Sequence, residues 1–180
     1  MIVSITLEQA RTIIDAALAY GAEQGYNPLT VAVLDPGGAI VALARQDGSG
    51  FLRPDLAVAK AYGVLGLGMT NRAIAERAAE APEFFTTVTT LAGGKFVSVP
   101  GGVFVRDREG TLLGAVGVTG DLSLHDEAAA VAGIEAAGLV AVALSAGWVV
   151  HTPRLTVDRT VEPGRVRRGE SAVSVVDVLV

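Results

Sequence analysis

Two stretches of this chain read as tight hairpins, and they restrict the fold more than any other feature. LTVAVLD and AIVALAR, residues 29–35 and 39–45, flank the turn PGG; GGVFVR and TLLGAVGVTGD, within residues 101–121, flank DREG. In both, strand-like apolar runs lie on either side of glycine-containing turn chemistry. Strands joined directly, without helical crossovers, pair antiparallel. The second hairpin carries Gly114, Gly117 and Gly120 at every third position. Glycine inside a strand marks a bulge or the close approach of another body. The expected body here is the long alanine- and glycine-rich helix AAAVAGIEAAG that follows.

Helical segments surround the hairpins. Thr6 and Gln9 form a capping box ahead of Leu7, Ala10, Ile13, Ile14 and Ala17, which repeat at helical spacing and predict a helix from about residue 7 to Gln24. Pro54 and Asp55 suit the first turn of a second helix that reaches about Gly68. Asn71 as a cap and Pro82 as a first-turn residue predict two short helices. Ser123 with Asp126 reads as the cap of the long helix, expected to run to about Leu144. An antiparallel sheet with helices laid on it is an α+β fold.

Composition narrows the function classes. Hydrophobic residues are 51% of the 180 and charged residues 18%, enough apolar content for a sizeable core in one domain. The net charge of -5, with no basic stripe interleaved with aromatics, argues against a nucleic-acid partner. The chain has no cysteine, so disulfides, thiolate catalysis and zinc–cysteine sites are excluded. No apolar run reaches membrane-spanning length, since VAGIEAAGLVAVAL is short and holds Glu135. MIVSITLEQA lacks a signal-peptide pattern, so a cytoplasmic location is expected. The character changes after Gly147, which divides a domain over residues 1–147 from an arm over 148–180 with a β-rich end, SVVDVLV. The arm is expected to pack on its own body or on a neighbouring subunit, and the chain to be a homo-oligomer.

Few residues carry chemistry. Arg45 leaves a strand end where it can grip a carboxylate, or pair with Asp47 or Asp55. Lys60 has mostly apolar helical neighbours, Leu56, Ala57, Val64 and Leu67. It either snorkels to the surface or points inward as a charge partner or an amine of depressed pKa. His125, Asp126 and Glu127 form the densest polar cluster, at a helix start where two acids satisfy the helix dipole with no further role. His125 is the candidate metal or haem ligand. Glu80 and Glu83 stand at loose metal spacing but read as a solvated face. There is no Ser–His–Asp pattern, no phosphate-binding glycine loop and no paired histidines.

The order LDPGGAIVALARQDGS, AVAKA, GGVFVRDREGTLLGAVGVTGD and then DE before a helix with AxAG resembles the GlcG/HbpS family of haem-binding proteins, also found as the C-terminal domain of PduO-type corrinoid adenosyltransferases. The resemblance covers about residues 5–144. The matching positions are Asp35, Gly37, Gly38, Arg45, Asp47, Gly48, Lys60, Gly101, Gly102, Gly114, Gly117, Gly120, Asp126, Glu127 and Gly133. It implies a profilin-like, five-stranded antiparallel sheet flanked by helices, oligomeric assembly, and haem or a related tetrapyrrole as ligand. The chain departs from the family pattern at Phe104, where proline is usual, and at Gly63, Gly66 and Gly68, which remove bulk from a helix and imply a reshaped pocket.

Two functions follow. In the first, a small-ligand-binding protein holds the macrocycle in an apolar slot, with Arg45, Arg53 or Lys60 near its propionates and His125 on the iron. In the second, a cofactor-independent enzyme uses Lys60, Asp126 or Glu127 as general base on a small carbonyl or acidic substrate, with Arg45 as anchor. An accessory or assembly protein without a small ligand is the third expectation.

Overall fold

The structure, a computed structural model, describes residues 3–143. Ten elements follow in order: α1 (Leu7–Glu23), β1 (Thr30–Leu34), β2 (Ile40–Arg45), α2 (Arg53–Leu67), α3 (Asn71–Glu80), α4 (Pro82–Leu91), β3 (Gly102–Arg106), β4 (Leu112–Thr119), α5 (Ser123–Ala136) and β5 (Val140–Val142). The strands form one antiparallel sheet in the order β2-β1-β4-β3-β5. The α+β, five-stranded architecture is the expected one. The boundary at 147 and the arm 148–180 lie outside the described residues.

Local chemistry accounts for most element ends. Thr6 accepts from the Gln9 backbone and Gln9 returns the bond, completing the capping box of α1. In the first hairpin turn the Asp35 carboxylate accepts from the N–H groups of Gly37 and Ala39. Turn chemistry is thus the role the structure gives this aspartate.

Two helix ends differ from expectation. Thr70, not Asn71, caps α3; Asn71 is its first residue and is fully buried. The long helix stops at Ala136. Gly138 adopts φ +71°, its N–H bonds Glu135 O, and Leu139 N–H bonds Ile134 O, which together make a Schellman stop. Val140–Val142 then add the fifth strand beside β3, in a segment whose alanines and valines read as more helix.

Strand alternation splits the core. Val31, Val33, Val116 and Val118 face α1 and α5; Ala32, Leu34 and Ala115 face α2, with α3 and α4 beyond it. The hairpin glycines do not meet the long helix: at Gly117 and Gly102 the approaching body is α2, and at Gly120 it is the backbone of Pro28 and Leu29. A Cβ on Gly117 would collide with the Ala57 carbonyl of α2, and one on Gly102 with the Lys60 carbonyl. The long helix uses its own Gly133, whose missing Cβ admits Ile13 of α1. Gly114 takes φ +154° against the Leu34 carbonyl, beside a shift in the β3–β4 register. Gly63 does not open a pocket: Phe96 fills its place, 3.1 Å from where a Cβ would lie, and stacks on Phe85. Phe104 is likewise buried in the α2-side core.

Candidate functional site

The ionisable residues gather at one end of the sheet, where β4 finishes and β3 begins. Lys60 lies on the α2 face that presses on β4, along with Ala57, Ala61 and Val64, so its side chain points inward and is 3% exposed. Its Nζ donates to Val118 O at 2.8 Å and to Asp126 Oδ2 at 2.7 Å. Gly101, at φ +121°, makes room: a Cβ there would sit 2.6 Å from the ammonium. The Gly101–Gly102 pair that opens the second hairpin therefore closes over Lys60.

Asp126 is 1% exposed, and its Oδ1 accepts from Asp121 N–H at 3.0 Å. Burial pushes the Lys60 amine down from its usual range and the Asp126 carboxyl up, each against the attraction of the other. Arg53, which donates to Thr119 Oγ1 at 2.8 Å, acts on both groups as a nearby positive charge.

Adjacent residues of a helix point about 100° apart, and Glu127 turns away from this pair. It is 5% exposed and accepts from Arg72 Nε at 2.8 and 3.2 Å and from Nη2 at 2.5 Å. The two neighbouring acids thus have separate cationic partners, and neither is a plain helix cap. The N-cap position itself is Leu122, with no side-chain bond.

His125 occupies a third position. Its Nδ1 lies 2.6 Å from Asp121 Oδ1, and its ring stacks on Tyr26 with centroids 4.3 Å apart and planes 2° from parallel. The Asp121 carboxyl is held well below the usual carboxylate range by hydrogen bonds from Asn27, Leu122 and His125. The His125 side chain is 40% exposed, and the exposed Leu122 and Leu124 precede it in sequence. Among the described residues Nε2 makes no hydrogen bond.

The expected convergence of Arg45 with Lys60 does not occur. Arg45 pairs with Thr30 in the cross-strand row that continues to Thr119, but its guanidinium bonds Ser49 O and it is exposed. Lys60, Asp126 and Arg53 do come together, and Glu127 and His125 lie on either side. Sequence reasoning missed Arg72 and Asp121. Arg72 lies 55 positions from Glu127, so no spacing links them. Asp121 stands four before His125 and was legible as a partner by that spacing. Glu80 and Glu83 are exposed, as expected of a solvated face. No cluster of three or more metal-binding side chains occurs among the described residues.

The fold has solved counterparts. PduOC in complex with haem matches with a TM-score of 0.68 and 20% identity over 77% of this chain and 98% of that one. The Klebsiella pneumoniae protein ORFY matches with a TM-score of 0.69 and 21% identity over 77% and 93%. HbpS matches with a TM-score of 0.63 and 28% identity over 74% and 89%. No protein of curated function matches. The model of the family described as "Haem degrading protein HbpS-like" matches residues 5–135. With that match running from the start of the domain through β4 and nearly all of α5, the chain belongs to the HbpS-like family.

Proposed function

We propose that this protein binds a small ligand, haem or a related tetrapyrrole. The observation that carries the reading is His125, an imidazole tethered through Nδ1, with Nε2 unengaged among the described residues and two exposed leucines, Leu122 and Leu124, just before it in sequence. An unengaged imidazole nitrogen with exposed leucines close by in sequence suits an iron macrocycle, whose faces are apolar and whose metal takes imidazole. Arg53 acts on the buried pair as a nearby positive charge and is half-buried, so it suits a propionate better than the exposed Arg45. Family membership and the haem complex of PduOC support the same ligand class. Bound haem would supply redox and oxygen chemistry at its iron. The chain's own residues bind, orient and shield. Hemin titration tests the reading: a Soret shift saturating near one haem per chain is expected, weakened at least tenfold in His125→Ala. No shift in the wild type would end it.

A second reading, a cofactor-independent enzyme, rests on the Lys60 amine, which lies buried beside Asp126 and is pushed down from its usual range by that burial. Lys60 and Asp126 are both enclosed, so a substrate would have to displace the Gly101–Gly102 segment to reach them. Unchanged turnover of an identified small carbonyl substrate in Lys60→Ala and Glu127→Gln would remove it.

A further inference from the structure

We propose that Asp121 is a positioning residue for His125: it holds the imidazole proton on Nδ1 and so presents Nε2 as the electron-pair donor to a transition metal, haem iron in the reading above, on which the metal's identity rests.

The geometry decides the proton's place. Asp121 Oδ2 accepts from Asn27 N–H at 2.8 Å and from the Asn27 side-chain amide at 2.7 Å, while Oδ1 accepts from Leu122 N–H at 2.7 Å. Three donors converge on this carboxylate, which therefore acts as an acceptor on both oxygens. The 2.6 Å contact with His125 then requires the hydrogen on Nδ1. In the neutral ring that leaves the lone pair on Nε2. Tyr26, parallel to the ring at 4.3 Å, covers one face and removes the remaining rotational freedom. Asn27 and Tyr26 both come from the segment between α1 and β1, so the orientation is set by the fold and not by the histidine's own helix.

A turn that only needed clasping would be served by Asp121 and Asn27. The stacked, tethered imidazole adds nothing to that clasp, yet it keeps 40% of its side chain exposed. A carboxylate behind a histidine fixes tautomer and orientation and raises ligand basicity, and its loss weakens metal affinity by roughly 10–100-fold.

The test has an arm without haem. Nitrogen-15 NMR of the wild-type protein, at a pH where the ring is neutral, is expected to show the Nδ1–H tautomer for His125; the Nε2–H tautomer would overturn the proposal. In Asp121→Asn the preference for Nδ1–H is expected to be lost, and an unchanged tautomer overturns it. The second arm is hemin binding. Asp121→Asn is expected to lose about 10-fold or more in affinity and to show a weaker ligand field by electron paramagnetic resonance, whereas a spectrum and affinity equal to wild type overturn the role. If hemin fails to bind even the wild type, the haem reading falls and the NMR arm still decides the positioning. Should Asp121→Asn not fold, the wild-type tautomer remains decisive, and Tyr26→Leu is expected to keep it while loosening the ring.

Discussion

Lys60 and Asp126, 66 positions apart in sequence, meet at 2.7 Å in the interior with side chains 3% and 2% exposed. The contact links α2 to the start of α5 across the end of the sheet. A buried pair of this kind repays little of its desolvation, and breaking it leaves an uncompensated charge. Lys60→Met is therefore expected to cost about 3–5 kcal/mol, and Lys60→Met with Asp126→Leu much less than either single change. Urea unfolding of the three variants checks this. The pH dependence follows from Asp126, whose carboxyl burial already raises. Without the ammonium it rises further, and a folded pKa above the unfolded one gives stability that is lost as pH rises. The Lys60→Met deficit should therefore be smaller at pH 4 than at pH 7.

Asp121 gives the opposite sign. Its carboxyl is depressed, chiefly by the Asn27 and Leu122 hydrogen bonds. The stability it contributes is present above the unfolded carboxylate value of about 3.9 and lost as pH falls below it. Asp121→Asn should be less stable than wild type at pH 7, and the gap should narrow progressively below pH 4. A gap that stays constant over that range would show that the charge has no part in it.

Two glycines predict opposite outcomes. Gly117→Ala drives a methyl into the Ala57 carbonyl, backbone against backbone, and should destabilise by about 1–3 kcal/mol or more. Gly66, inside α2, has nothing within 4 Å of a built Cβ, so Gly66→Ala should stabilise by up to about 1 kcal/mol through helix propensity. Thermal denaturation of both decides it.

We expect a homo-oligomer. Edge strand β2 carries Ile40 and Leu43 at 56% and 37% exposure, and Phe51 is 88% exposed in the loop after it. Soluble monomers limit such apolar edges. Size-exclusion chromatography with light scattering should give a multiple of the 18.4 kDa chain at micromolar concentration; a monomer would refute it.

The sequence by itself determined what depends on neighbours along the chain. The Thr6–Gln9 box, the Asp35 turn, the proline starts of α2 and α4 and the two hairpins are all short-range, each set by backbone chemistry within four residues. The order of glycines and single charges was enough to indicate the family. The tertiary structure decided what depends on packing. The expected helix ran through Gly138 to about Leu144; its stop at Gly138 and the choice of strand for Val140–Val142 required an open edge on β3. The helix that meets Gly117 is α2, because strand parity turns Gly117 to the face away from Val116 and Val118, and α2 is the helix packed directly on that face. The partners of the acids, Lys60 for Asp126 and Arg72 for Glu127, come from segments more than 50 positions away. No spacing encodes such a meeting, which arises only when the burial of two helix faces brings their polar ends to the same margin of the sheet.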